Sequence, residues 1–216
     1  MTRFSCSVLA TALFLAACGP KAVALPEQPV DRAATCGVVA AAEARLATTD
    51  LQAQLPLATH GRIVHYALLA ASEGGEFSAE TANTVSQRMA RLFEPITSGD
   101  WQALPDACRA AYPLAEKKDV TLPEDRFAAQ LRCSELAEFL LTALKGQGGT
   151  YGNEIARWRG MRTRLNDAIA PGLDASAGKE WADQQRARRK ALAEAARLGT
   201  PTAVMAACST RFPAPV

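Results

Sequence analysis

Residues 106–113 read "DACRAAYP" and residues 206–213 read "AACSTRFP". Each stretch sets a Cys, three further residues, an aromatic and a Pro in the same order. Each also has a cysteine upstream at nearly the same span: Cys36 precedes Cys108 by 72 residues, and Cys133 precedes Cys208 by 75. The approaches to the upstream cysteines are alike as well, "PVDRAA" at 29–34 and "PEDRFAA" at 123–129. An ordered set of matches argues for duplication of one unit of about 85–90 residues, because such periods mark repeated supersecondary units. The expected organisation is a segment 1–17, a Pro-rich stretch 18–30, a first unit 31–116 and a second unit 117–216.

The pattern between the cysteines is helical in both units. Ala82, Val85, Met89, Leu92 and Ile96 recur at three- and four-residue steps, as do Ile155, Trp158, Met161, Leu165 and Ile169. That period places each set on one helical face. Ser78 is a candidate N-cap, Thr121 with Glu124 a candidate capping box, and Thr200-Pro201 a helix start. Pro113 and Pro213 are helix stops. A chain rich in Ala and Leu, with 6% aromatic residues and no alternation of period two, favours helix over sheet. The predicted fold is all-α: two tandem bundles of about four helices each.

The N-terminus reads as an address. Arg3 is followed by a short apolar run, Val8 to Leu15, and then by small residues. A bilayer core of about 30 Å needs roughly 20 apolar residues, so this run is a secretory signal rather than a span. Leu15-Ala16-Ala17-Cys18 resembles the lipobox of bacterial lipoproteins. The resemblance implies cleavage before Cys18, acylation of its sulfur and of the new amine, and a lipid-held chain. Gly19 after the Cys implies, by the same resemblance, the outer membrane facing the periplasm. One acyl chain anchors marginally, whereas two or three anchor firmly. Residues 19–30, with three prolines, read as an extended tether.

Export makes disulfides the expected state of the remaining cysteines. Four cysteines allow three connectivities. The repeat selects Cys36 with Cys108 and Cys133 with Cys208, one clasp per unit. Tyr112 and Phe212, four residues beyond the second Cys of each pair, fall on the same helical face and are expected to cover the bridges.

Sequence patterns for catalysis are sparse. His60 and His65 lie five apart, about 140° around a helix, and do not face one metal ion. No Cys-x-x-Cys motif and no Gly-x-Ser-x-Gly elbow occurs. "GQGGTYG" at 146–152 follows a helix rather than a strand, and Tyr151 replaces the last glycine of a dinucleotide fingerprint. "GGEF" at 74–77 is similar to the signature of diguanylate cyclases but one residue short, and it reads as a turn between helices. Neither a cofactor nor a metal is expected.

Charge is the uneven property. The chain has 24 Lys and Arg against 22 Asp and Glu, a net charge of +2, which does not call for nucleic acid. Cys36 to Pro113 nevertheless holds five basic and eight acidic residues, while Cys133 to Pro213 holds 12 and eight. The excess comes from Arg157, Arg159, Arg162, Arg164, Arg186, Arg188, Arg189 and Lys190. They form either a solvated face with local ion pairs or a patch for an anionic lipid, glycan or acidic protein. Acidic and basic units could also attract each other. Trp101, Trp158 and Trp181 are expected in the core. The functional expectation is a lipid-anchored, non-enzymatic binding or scaffolding protein of the cell envelope. A stress chaperone or an inhibitor of an envelope enzyme is the alternative.

Overall fold

The computed structural model describes residues 24–50, 53–145 and 151–213. Among them every regular element is helical. The N-terminal half holds α1 (Pro29–Leu46), α2 (Leu57–Ala70), α3 (Ala79–Thr97) and α4 (Pro105–Ala111). The C-terminal half holds α5 (Arg126–Ala143), α6 (Gly152–Ala177), α7 (Trp181–Ala196) and α8 (Pro201–Arg211). Short 3-10 turns flank α4 at Trp101–Ala103 and Pro113–Ala115.

Each half is organised around its first helix. α1 packs on α2, α3 and α4, and α5 packs on α6, α7 and α8. A helix surrounded in this way must be apolar or small on most of its circumference. The run Ala33 to Ala40 along α1 is accordingly buried without a break, and α5 buries Ala129, Leu131, Cys133, Leu136, Ala137 and Leu140. α3 lies outside, so only Ala82 and Val85 are fully buried, with Met89, Leu92 and Ile96 packed against the core from its edge. α6 buries the whole predicted stripe of Ile155, Trp158, Met161, Leu165 and Ile169, and adds Leu173.

The disulfides are Cys36–Cys108 and Cys133–Cys208, with Cα atoms 5.3 and 5.8 Å apart, within the range a bridge requires. Each ties its hub helix to the last helix of the same half. Tyr112 joins the core cluster of the first bridge and meets Tyr66 edge-on, centroids 5.4 Å apart. Phe212 packs, half-buried, on the cluster that contains the second.

Helix boundaries follow local chemistry. Ser78 caps α3 by accepting the Thr81 N–H at 3.1 Å. Pro201 opens α8 after Thr200. α5 starts later than the expected Thr121–Glu124 box: Asp125 is its cap, accepting the Ala128 N–H at 2.7 Å. A carboxylate one residue before the helix reaches the free N–H groups that Thr121, four residues further back, does not. α1 begins at Pro29, inside the stretch expected as tether, and Leu25 already packs against the first core. Trp181 is 75% exposed at the first position of α7, not in the core; only the C-terminal end of that helix is buried.

The two halves meet along a seam built mainly on α2, which contacts both α7 and α8. α2 carries two apolar stripes. Ile63, Tyr66, Ala67 and Ala70 enter the first core, whereas Leu57, Val64 and Leu68 belong with or against the second. α2 and α8 are in close contact at Gly61, where a Cβ would sit 2.7 Å from Thr202 Cγ2. Thr200 N–H donates to Lys117 O at 2.8 Å, beside Gly199, whose φ of +157° lies at the edge of the glycine-favoured region. Attraction between an acidic and a basic half contributes little. Arg189 and Glu76 pair across the seam at 3.2 Å, both half exposed, a contact worth about 0–1 kcal/mol.

Candidate functional site in the seam between the halves

Backbone ends and polar side chains from both halves converge at the seam. His65, fully buried on α2, donates its Nε2–H to Ala196 O at the end of α7, 2.8 Å away. Burial pushes this imidazole down to about 4, with the hydrogen bond to Ala196 opposing. It is therefore neutral at physiological pH, and its Nδ1 has no protein partner among the described residues. The next residue, Arg197 at the C-cap of α7, reaches Ser72 O at 2.8 Å. Phe77 N–H donates to Arg189 O at 3.1 Å. Tyr151, at the start of α6, donates its hydroxyl to Leu55 O and meets His60 edge-on. His60 and His65 thus serve separate contacts. Among the described residues no three His, Cys, Asp or Glu side chains gather where a metal ion could be held.

Beside these ties the seam opens into a cleft of about 480 Å³. Phe77 and α3 line one side; α5 and α7 line the other. Phe77 and Phe139 meet across it edge-to-face, centroids 5.7 Å apart and planes at 77°. Glu135 of α5 and Arg188 of α7 form an ion pair on its wall, their side chains 15% and 25% exposed. Burial raises the Glu135 carboxyl above its ordinary range, and Arg188 opposes that rise.

The structure divides the arginines that the sequence groups together. Arg157 and Arg164 line a separate open groove of about 920 Å³ between α6, α8 and the start of α2, together with Trp158, Met161 and Phe212. Neither has an acidic partner among the described residues. Arg162 lies on the opposite flank of α6 and pairs with Glu138 at 2.9 Å, and Arg159 is exposed. Arg186 pairs with Asp183 at 2.7 Å, and Lys190 lines the same shallow hollow. Arg189 answers Glu76. Four of the eight basic groups, Arg162, Arg186, Arg188 and Arg189, are thus in ion pairs, and the eight do not share one surface. Cys18, Cys6 and residues 146–150 of the glycine-rich stretch lie outside the described residues.

The residues that sequence reasoning missed are Val64, Phe77, Glu135, Phe139 and Leu192 of the cleft, where they join Arg188 of the basic group. Val64 alone carries a sequence signal, as part of the second apolar stripe of α2. No protein-family profile, no curated protein and no solved structure matches this chain.

Proposed function

We propose that the chain is a lipid-anchored, non-enzymatic binding protein of the bacterial cell envelope, held through Cys18 and exposed to the periplasm from the outer membrane. The observation that carries this reading is the pairing of all four cysteines of the folded body in two disulfides, each closed within one half. Such closure suits an oxidising compartment, and it stands downstream of a signal that resembles a lipobox. No helix among the described residues is long and apolar enough to cross a membrane, so attachment on this reading rests on the lipid.

The halves are proposed to descend from one duplicated unit. Both hub helices have 18 residues, and each places its cysteine seven residues after its first: Pro29 to Cys36 and Arg126 to Cys133. The helix after the second cysteine ends alike in both. Tyr112 has φ −130° and ψ 63°, Phe212 has φ −126° and ψ 65°, and each N–H returns to the carbonyl of its cysteine. The "Asp-Arg" openings match in order but not in register, since Asp31 sits inside α1 while Asp125 precedes α5.

Binding is preferred over chaperoning because a holdase needs broad exposed apolar surface. Among the described residues three large apolar side chains are exposed: Leu46, Phe93 and Trp181. The test is growth on radiolabelled palmitate with the wild-type chain and a Cys18→Ser variant, followed by membrane fractionation. Label and membrane recovery that both vanish with Cys18→Ser support the anchor. Absence of label in the wild-type chain, or free thiols throughout the recovered protein, overturns it.

A further inference from the structure

The seam cleft has the makings of a ligand site. Its volume of about 480 Å³ lies within the span of small-molecule pockets, roughly 300–1,000 Å³. Its wall combines aromatic and aliphatic side chains with polar ones such as Asn83 and Gln185, and Phe77 from one half and Phe139 from the other meet edge-to-face. Its polar group is oriented in advance. The Glu135–Arg188 pair shares one hydrogen bond, between Oε1 and Nη1. That leaves the second carboxylate oxygen to accept and the remaining guanidinium N–H groups to donate.

Charge balance narrows the ligand. At the mouth, Glu138 is answered by Arg162 at 2.9 Å and Arg189 by Glu76 at 3.2 Å. With Glu135 and Arg188 also matched, an entering ion finds no unpaired counter-charge. A desolvated ion without a partner is strongly disfavoured. A neutral molecule leaves every pair intact and still gains hydrogen bonds from the spare donor and acceptor sites.

We propose that this cleft binds an uncharged, compact amphipathic molecule, its aromatic or branched apolar body against Phe77, Phe139 and Leu192 and its hydroxyl or amide head on the Glu135–Arg188 pair. This deepens the binding reading above by naming its ligand class. The bound molecule touches both halves, so occupancy stabilises the seam and raises the unfolding temperature.

The test uses the full chain with its disulfides intact and the neutral fluorophore N-phenyl-1-naphthylamine. Probe fluorescence rises on binding. The neutral competitor 2-phenylethanol displaces the probe at concentrations about tenfold below those needed for phenylacetate or phenethylammonium. Ala79→Trp and Ala143→Trp fill the cleft from its two sides, and each weakens probe binding by about tenfold or more. Ala170→Trp, on the exposed face of α6, leaves it unchanged, and circular dichroism confirms that all three variants are folded. Glu135→Gln leaves the Arg188 charge unanswered and shifts preference toward phenylacetate. The proposal is overturned by no probe binding, by equal competition from the charged compounds, or by binding that both filling variants leave intact. These outcomes are independent of palmitate labelling: absence of label in the wild-type chain refutes the anchor and leaves the cleft standing, and absence of probe binding does the reverse.

Discussion

α2 and α6 each follow the hub helix of their half, yet they live in different surroundings. α2 has 14 residues and is pressed between two cores. α6 has 26 residues and buries one stripe, leaving the rest of its circumference to water. The difference follows from the seam. A helix on the seam needs two apolar faces; a helix on the outside needs one. Charge follows the same rule. α6 carries Arg157, Arg159, Arg162 and Arg164, whereas α2 carries Arg62, which is answered by both Glu43 and Glu116. Equivalent order along the chain therefore does not imply equivalent burial.

The largest expected effect tests what the halves share. Replacing Cys36 and Cys108 by Ala, or Cys133 and Cys208 by Ala, removes a loop closure of 72 or 75 residues and costs about 4–5 kcal/mol in the chain-entropy picture. The two losses are expected to be nearly equal in urea unfolding. Because α2 belongs to both cores, either variant retains one cooperative transition. Two separate transitions would show that the halves fold independently.

The next effect belongs to the seam. The folded-state pKa of His65 lies at about 4, below the ordinary 6.5, so the unfolded chain binds the extra proton more readily between those values. Stability is whole above pH 6.5, falls as pH drops toward 4, and loses on the order of 3 kcal/mol across that window. Urea midpoints at pH 7, 5.5 and 4 measure the fall. His65→Gln is expected to flatten it; an unchanged slope would place the proton elsewhere.

A third contrast sets the seam against the interior of one half. A Cβ at Gly61 meets the branched Thr202 at 2.7 Å, while one at Gly37 meets the flexible end of Met89 at 2.5 Å. Gly61→Val is expected to cost about 1–3 kcal/mol by overpacking. Gly37→Ala should cost less, because the thioether can swing away. Thr202→Ala should recover part of the Gly61→Val loss, and a double-mutant cycle reads that coupling. The smallest effect is at the caps. Ser78→Ala and Asp125→Ala each remove one N-cap hydrogen bond and should cost about 1 kcal/mol, one in each half.

Much of the architecture was legible in the residues. The stripes of α3 and α6 follow the 3.6 period, the Ser78 cap is local, and the disulfide pairing follows from repeated spacing. Trp181 misled because a tryptophan at the mouth of a helix carries the same composition signal as one in its buried stripe. The arginines left two readings open because, apart from Asp183 beside Arg186 on α7, their acids come from elsewhere in the fold: Glu138 and Glu135 lie on α5, and Glu76 precedes α3. Only folding reveals which of them are answered. The cleft draws on residues from Val64 to Leu192, and no local pattern joins them.

By itself the sequence determined that this chain is helical and that its cysteines pair within each half, because periodicity and spacing act over a few turns or through a covalent link. Only the tertiary structure decided that α2 serves two cores, that His65 ends against Ala196, and that a cleft opens beside Phe77 and Phe139. Those outcomes depend on how the faces of distant helices fit, a match of shape that no single segment encodes.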